Sequence, residues 1–373
     1  MRILFDHQAF TIQKYGGISR YYAELIKAFK EHAKIDTRIS LVTSENENLN
    51  IIYPGRKSSL LPKRNFRGKM YTAQLLNKAA STLALKHNEF DIFHPTYYDQ
   101  YFLKFIKKKP FVITVYDAIH EKMNHLFPEL QSDKQEVNDK RKILDAASAI
   151  IAISNQTRAD MIELYQLDPS KIKAIPLAIA NPVTQPFEID CSFAFNIKQK
   201  YLLFVGHRTI YKNFDFFFRS ISTFLYEEKD LFLVCAGGAG FTDAESELFK
   251  YSGISTRVIH QPINDLSINR IYSGALAFIF PSLYEGFGIP VLEAMGNGCT
   301  CILSTGGSLP EVGAESAVYF NPANSDSILN AVRLVVKDEQ LRKSMIQSGR
   351  KRVSEFSWEK TADMTFALYQ SIL

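Results

Sequence analysis

The stretch FPSLYEGFGIPVLEAMGNG, residues 280–298, joins an apolar strand to a helix through a glycine-containing loop. Pro290 stands where the helix should begin, because proline is favoured at the first helical position. Gly286 and Gly288 allow a tight turn and leave the amides of Gly286, Phe287 and Gly288 unobstructed. A glycine loop that runs into a helix N-terminus combines free N–H groups with the positive end of the helix dipole. The stretch therefore predicts a strand–loop–helix unit that binds phosphate.

Two acidic residues bracket this loop. Glu285 precedes it, and Glu293 is expected in the first turn of the helix. Carboxylates beside a bound phosphate would be repelled unless they faced hydroxyl groups, so sugar hydroxyls are their expected partners. Taken alone, Glu293 is better explained as a complement to the helix dipole.

A second polar segment, FVGHRTIYKNFD at residues 204–215, follows the first strand of the second half. Arg208 and Lys212 come after the carboxyl end of that strand, where two cations would neutralise a diphosphate. Either cation alone is more simply a surface charge. Because both polar segments fall on strand ends of one domain, they favour a shared binding site.

Short apolar, β-branched runs alternate with helical periodicity along the whole chain. This alternation predicts βαβ units and parallel sheets. The candidate strands are residues 2–6, 37–43, 91–94, 111–116, 149–154, 201–206, 231–236, 257–260, 275–280 and 300–304. Residues 18–29 form an amphipathic helix, and the proline-rich segment 175–187 is the expected linker. We therefore predict two doubly wound α/β domains, with the ligand site in the cleft between them.

The composition is that of an ordinary soluble globular protein. The 373 residues are 46% hydrophobic and 22% charged, which excludes a disordered or fibrous chain. The four cysteines show no paired spacing typical of zinc sites or disulfide frameworks, so a reducing cytosol fits. Asp6 and His7 interrupt the first apolar run, so no signal peptide is expected. No apolar stretch approaches the roughly 20 residues of a membrane-spanning helix.

The net charge of +5 is unevenly distributed. Residues 1–180 carry 27 Lys and Arg against 19 Asp and Glu, whereas residues 181–373 carry 17 against 20. Basic clusters at 55–69 and 104–109 supply much of the excess and suit an anionic membrane leaflet, at about 1 kcal/mol per cation. A solvated loop explains them equally well. No nucleic-acid recognition motif accompanies the charge, so nucleic acid is not a predicted partner.

The segment EGFGIPVLE with Glu285 and Glu293, together with Arg208 and Lys212, resembles the donor site of retaining family-4 glycosyltransferases of the GT-B fold. The resemblance extends to GGSLPEVGAESAVYFNP at residues 306–322 and to the N-terminal stretch FDHQAFTIQKYGGISRYYAEL. YGGISRY, FHPTYY and TVYDAIHE resemble a mannosyltransferase-like subgroup of bacterial polysaccharide (O-antigen) enzymes. The similarity spans nearly the whole chain.

The resemblance implies a role for each donor-site residue. Arg208 and Lys212 would hold the donor's diphosphate, and Glu293 would hydrogen-bond its ribose. Glu285 and the backbone of Gly286, Phe287 and Gly288 would face the donor hexose and the distal phosphate.

Two further segments complete the implied donor site. HQPINDL, residues 260–266, would cradle the base through the main chain of Ile263. Gly16 and Gly17 would let a loop of the first domain approach the diphosphate. The family needs no obligatory metal or other cofactor, and the chain shows no DxD metal signature at the expected place.

The strand that reads FVITVYDAIHE departs from the family pattern. Many members carry His directly before the Asp, whereas this chain has Tyr116 there and His120 four positions later. The resemblance assigns a donor-facing catalytic role to Asp117 and His120, although His120 would otherwise be an ordinary interdomain histidine. The predicted catalytic set is Asp117, His120, Arg208, Lys212 and Glu285.

The acceptor side is predicted from FHPTYYDQYF, residues 93–102. His94 ends a strand, and with Tyr97, Tyr98 and Tyr101 it would form an aromatic surface for an acceptor sugar, or else belong to the core.

The GT-B resemblance implies two Rossmann-like domains that face each other across a deep cleft. The expected boundaries are 1–178 for the acceptor-binding domain, 179–189 for the linker and 190–355 for the donor-binding domain. Residues 356–373 are expected to form a helix that crosses back to the first domain.

The resulting expectation is a retaining, metal-independent transfer of mannose or a related hexose from a GDP-sugar to a lipid-linked glycan in O-antigen synthesis. The enzyme would lie in the cytoplasm on the inner face of the membrane, bound to anionic lipid through its basic first domain. A UDP-sugar donor and a GT-B epimerase are the alternatives.

Other classes of protein are distinguishable. An NAD-dependent dehydrogenase would need a complete glycine fingerprint, but VCAGGAGFTD has Asp243 where the third glycine belongs. A phosphorylase would be activated by free phosphate. A non-catalytic lipid or RNA binder would show no preference among nucleoside diphosphates.

Overall fold

The computed structural model describes residues 1–31, 35–55, 68–127, 134–179, 199–263 and 267–373. The chain divides into two compact units. The first comprises Met1–Glu121, Gln131–Leu177 and Trp358–Leu373, and the second comprises Lys122–Leu130 and Ala178–Ser357. Most of the predicted basic cluster at 55–69, all but the first residue of the predicted linker at 179–189, and residues 264–266 of the predicted base segment lie outside the described residues.

The described residues of the first unit form six short parallel strands. They are β1 (Arg2–Phe5), β2 (Asp36–Ile39), β3 (Ile92–His94), β4 (Val112–Val115), β5 (Ala149–Ala152) and β6 (Ile172–Ala174). They form two three-stranded sheets, in the orders β2-β1-β3 and β4-β5-β6. A parallel bridge between Phe93 and Phe111 connects the two sheets. Almost every residue of β1, β3, β4 and β5 is buried, which is typical of parallel strands covered on both faces.

The helices up to Tyr165 alternate with these strands. They are α1 (Gln8–Ile12), α2 (Gly17–Lys30), α3 (Leu49–Ile52), α4 (Lys69–His87), α5 (Ile119–Met123), α6 (Lys134–Ala146) and α7 (Asn155–Tyr165). Helix α2 confirms the predicted amphipathic helix, since Tyr21, Tyr22, Leu25, Ile26 and Phe29 are all buried at helical spacing.

The second unit is built on one six-stranded parallel sheet. Its strands are β7 (Lys200–Val205), β8 (Leu231–Ala236), β9 (Val258–Gln261), β10 (Ala277–Phe280), β11 (Cys301–Ser304) and β12 (Ala317–Phe320). Their order is β12-β11-β10-β7-β8-β9, so the chain starts in the middle, moves to one edge and then restarts beside β7. This is the doubly wound arrangement of dinucleotide-binding folds.

The helices of the second unit cover its sheet. They are α8 (Phe214–Glu227), α9 (Asp243–Tyr251), α10 (Ser267–Gly274), α11 (Ile289–Gly296), α12 (Leu309–Gly313), α13 (Ser325–Lys337) and α14 (Glu339–Val353). Helix α8 buries Phe214, Phe217, Phe218, Ile221 and Phe224 in the main apolar core, where they pack with residues of β7, β8 and α13. This helix fixes the loop between β7 and α8, which carries the predicted cations.

The last helix, α15 (Trp358–Ser371), belongs to the first unit. Its Tyr369 hydroxyl lies 2.5 Å from Nδ1 of His94, and Thr361 donates a hydrogen bond to the carbonyl of Pro176 at 2.9 Å. No helix in the described parts of the chain combines the length and the apolar composition needed to cross a membrane.

The structure corrects several sequence predictions of local structure. The ten predicted strands are present, β8 with the predicted ends and the others with one or both ends shifted, but β6 and β12 were not predicted. Helix α11 begins at Ile289, so Pro290 is its second residue rather than its first. Glu293 therefore lies in the second turn, and the prediction that it occupies the first turn is wrong.

Candidate active site

The strand order of the second unit reverses between β7 and β10, which are hydrogen-bonded neighbours. The loops that leave their carboxyl ends therefore lie side by side, and Leu283 N donates a hydrogen bond to the carbonyl of Tyr211 at 2.8 Å. In open α/β sheets, ligands bind at this switch point. Both polar segments singled out in the sequence lie here.

Lys212 and Glu285 form an ion pair across these two loops. Lys212 ends a 3-10 helix, Ile210–Lys212, and its Nζ lies 2.6 Å from Oε1 of Glu285. The side chains are only 16% and 11% exposed, so water screens the pair weakly. A lysine ammonium has three N–H donors, so it can hold this carboxylate and also donate to a phosphate oxygen.

Arg208 lies in the same loop after β7, where residues that follow β8 hold its side chain. Its Nε lies 2.6 Å from Oε1 of Glu245, and its Nη2 donates to the carbonyls of Ala239 and Gly240 at 2.8 and 2.9 Å. The rings of Phe241 and Phe214 lie 4.8 and 5.8 Å from the guanidinium carbon. The side chain is only 6% exposed, and its Nη1 has no hydrogen-bond partner in the structure.

Glu245 is a site residue that the sequence analysis missed. Burial acts to raise its pKa, but hydrogen bonds from Arg208 and from Thr242 N, with the charge of Arg208, outweigh burial and hold the pKa below its ordinary value. Glu245 therefore stays ionised at neutral pH. The signal in the sequence was the spacing of Thr242 and Glu245, which is typical of a helix capping box.

The loop after β10 is held by the turn after β11. Ser308 N donates to the carbonyl of Glu285 at 3.0 Å, and Ser308 Oγ donates to the carbonyls of Glu285 and Phe287 at 3.1 and 2.9 Å. Gly286, Phe287 and Gly288 are buried. Gly288 adopts φ +100°, a backbone conformation that favours glycine, and a Cβ there would also lie 2.8 Å from Cδ2 of Leu309.

The remaining donor-site predictions fall on neighbouring parts of the second unit. Oε2 of Glu293 accepts a hydrogen bond from the Tyr272 hydroxyl at 3.2 Å. Ile263 follows β9, and its side chain lies over Gly237, where a Cβ would meet it at 2.8 Å. The predicted diphosphate segment follows β7 and the predicted base segment follows β9 of the same parallel sheet, so both lie at its carboxyl edge.

The other predicted donor-site residues lie in the first unit, at or near the N-termini of α2 and α5. Gly17 begins α2 and Gly16 precedes it, with the Gln13 side chain so close that a Cβ on Gly16 would lie 2.5 Å from its Oε1. Asp117 follows β4, and its Oδ1 accepts a hydrogen bond from Ile119 N at 3.1 Å. This contact caps α5, the short helix on which the exposed His120 lies.

The prediction that His94 lines an acceptor surface is wrong. His94 is completely buried, with Nδ1 2.5 Å from Tyr369 Oη and Nε2 3.0 Å from Thr114 Oγ1. It is a core residue, which was the other interpretation of the sequence. Tyr97 and Tyr98 are half-buried with their rings 4.9 Å apart, and Tyr98 donates to the carbonyl of Thr114 at 3.2 Å.

Burial of His94 makes stability depend on pH. Burial lowers its pKa from 6.5 to about 3, so the unfolded chain binds this proton more readily than the folded protein does. Stability is therefore retained above pH 6.5 and lost as the pH falls towards 3. We expect the free energy of unfolding in urea to fall by about 2 kcal/mol between pH 7 and pH 5 from this group. A His94→Asn protein, although less stable at pH 7, should lose less over the same interval, and an equal loss in both proteins would contradict this explanation.

Two family models match the chain. "Glycosyl transferases group 1" matches residues 188–352, and "Glycosyltransferase Family 4" matches residues 15–180. The chain is a family-4 glycosyltransferase of the GT-B fold. This assignment agrees with the resemblance seen in the sequence, and it makes the switch-point residues the candidate active site of a glycosyltransferase.

Curated relatives and a solved structure are also similar to this glycosyltransferase. An uncharacterised glycosyltransferase of Methanocaldococcus jannaschii is 24% identical over 87% of this chain and 86% of its own length. The O-antigen chain mannosyltransferase B of Escherichia coli is 26% identical over 61% of each chain. Anabaena HepE, solved in complex with UDP and glucose, aligns with a TM-score of 0.76 at 15% identity over the whole of both chains, a likeness that shows the fold alone.

Proposed function

We propose that this glycosyltransferase moves mannose or a related hexose from a GDP-sugar to a sugar hydroxyl of a lipid-linked glycan, with retention of configuration. The observation that carries the proposal is the Lys212–Glu285 ion pair, which joins the loops after β7 and β10 at the switch point of the sheet. Arg208 lies in the same loop as Lys212. The similarity to an O-antigen chain mannosyltransferase supports the choice of mannose and of a bacterial surface polysaccharide as the product.

In this proposal, fixed positive charge stabilises the departing diphosphate. Lys212 and Arg208 would donate to the phosphate oxygens, where negative charge grows as the sugar leaves. Glu285, held through its backbone by Ser308, would orient hydroxyls of the hexose, and Glu293 would bind the ribose. Because two cations already lie at the site, we propose that no obligatory metal and no other cofactor is needed.

The remaining steps concern the acceptor hydroxyl. The acceptor oxygen would bond to the anomeric carbon on the face from which the diphosphate leaves, as the bond from that carbon to the phosphate oxygen breaks. The departing phosphate oxygen would take the acceptor's proton, so no second carboxylate is required. Asp117 and His120, on the loop and helix after β4, would contact the donor sugar, and Gly16 and Gly17 would approach the diphosphate.

We propose that the enzyme works in the cytoplasm, on the inner face of the membrane. Its first unit carries exposed apolar side chains on α4, including Met70, Tyr71 and Leu75, with basic clusters before this helix and at residues 104–109. Apolar side chains flanked by cations suit an anionic lipid surface, where a lipid-linked acceptor would be found. Nucleic acid is not a proposed partner.

A UDP-sugar is the second candidate donor. Complexes of the similarly folded HepE contain UDP, or UDP-glucose, which favours this base. A nucleotide-sugar epimerase with the same fold would convert its substrate in the absence of any acceptor.

Nucleotide binding tests the proposal. We expect GDP without magnesium to raise Tm, because a ligand at about 100 times its Kd adds about 2.7 kcal/mol to the free energy of unfolding. ADP and dTDP should shift Tm less, and magnesium should add nothing. A larger shift with UDP would select the second donor, a need for magnesium would contradict metal independence, and a shift with NAD alone would contradict the glycosyltransferase site.

A further inference from the structure

The guanidinium of Arg208 has one edge anchored by the protein and one nitrogen that the described residues leave without a hydrogen-bond partner. Nε and Nη2 contact Glu245 and the carbonyls of Ala239 and Gly240. Nη1 is buried and has no hydrogen-bond partner among the residues that the structure describes. We propose that Glu245 is a positioning residue, which holds Arg208 so that Nη1 donates to the donor's diphosphate. This inference rests on the proposed function.

Glu245 is itself fixed at the start of α9. Its Oε2 accepts from Thr242 N at 2.7 Å and from Thr242 Oγ1 at 3.1 Å, while Glu245 N donates to Thr242 Oγ1 at 3.2 Å. The carboxylate thus has a set position before it meets the arginine. Since α9 follows β8 and Arg208 follows β7, the pair joins the loops of two neighbouring strands.

The unpartnered Nη1 indicates an anionic ligand. An arginine does not lose its proton in proteins, so both N–H groups of Nη1 stay charged donors. A buried donor without an acceptor is unfavourable, and a phosphate oxygen is a strong partner for it. Phe241 and Phe214 cover the guanidinium, so it has little room to turn its other edge towards the ligand.

Two effects of losing Glu245 on diphosphate binding would act in opposite directions. A carboxylate beside Arg208 offsets part of its positive charge, so its removal would strengthen phosphate binding if orientation did not matter. Positioning predicts weaker binding, because the freed guanidinium would turn to water or to the nearby carbonyls. The sign of the change in affinity therefore separates the two effects.

The test measures GDP and UDP binding by calorimetry to the full chain and its variants. Glu245→Gln removes the charge but retains the capping box, since glutamine serves at that position. Glu245→Asp keeps the charge but shortens the reach. We expect each to weaken binding of the preferred diphosphate by about tenfold, the typical value of one charge-assisted hydrogen bond. The control is Glu247→Gln, an exposed glutamate on the same helix, which should bind as the wild type does.

A double-mutant cycle tests whether the effect of Glu245→Gln on nucleotide affinity depends on Arg208, which a merely structural role would not require. If Glu245 acts through Arg208, Glu245→Gln should have no further effect on affinity in an Arg208→Gln background. Equal effects in both backgrounds would overturn the inference. Wild-type affinity in both Glu245 variants, or tighter binding in Glu245→Gln, would overturn it while the proposed function stands. A wild-type protein that binds no nucleoside diphosphate would overturn the proposed function and this inference with it.

Discussion

Replacing Lys212 by glutamine is expected to lower kcat by about 100- to 1,000-fold, the usual effect of losing one donor that stabilises developing negative charge. Glutamine can still donate a hydrogen bond to Glu285, whose Oε1 lies 2.6 Å from Lys212 Nζ, so the loops should keep their arrangement. What is lost is the positive charge at the leaving diphosphate. Steady-state kinetics should show the loss mainly in kcat, with KM changed little.

Two further variants test whether the loss of activity comes from the charge at position 212. Lys212→Arg keeps the cation and should retain more activity than the glutamine variant. Lys250→Gln removes a positive charge from an exposed position on α9 and should have wild-type kinetics. A Lys212→Gln enzyme with kcat within threefold of the wild type would show that Lys212 does not stabilise the leaving group.

The sequence was sufficient to place three of the candidate site residues next to strand ends. Arg208 and Lys212 follow β7, and Glu285 follows β10, as the apolar runs indicated. Their contact was not predictable from spacing, since Lys212 and Glu285 are 73 residues apart. It depends on the strand order, in which β10 pairs with β7 rather than with the preceding β9.

Other features escaped prediction because their partners lie far along the chain. Glu245 was not singled out in the sequence, because its partner Arg208 lies 37 residues earlier, in the loop of the neighbouring strand. His94 looked like part of an aromatic surface, but α15 supplies Tyr369 from 275 residues away to close the core over it. The four-residue strand β12 at the sheet edge has only two fully buried residues, a pattern too short to predict a strand.

Gly307→Ala is expected to lower kcat/KM by about 100-fold, because small displacements of catalytic groups have effects of this size. Gly307 has φ +61°, and a Cβ there would meet the backbone of Glu285, with Glu285 N at 2.6 Å. The loop that carries Glu285 would have to move away from the β11 turn. That movement would break the hydrogen bonds from Ser308 to the carbonyl of Glu285 and would shift the carboxylate from Lys212.

Gly55→Ala is the control that shows the effect of backbone strain without the clash at Gly307. Gly55 also has a positive φ, +74°, but a Cβ there would meet no atom of the described residues within 4 Å. We expect both alanine variants to lose about 1–2 kcal/mol of folding free energy in urea titrations from the strained φ. Only Gly307→Ala should lose activity, because only there does the added methyl group displace Glu285. Equal kcat/KM in the two variants would mean that the close packing of Gly307 on Glu285 has no part in placing the Glu285 carboxylate for the proposed reaction.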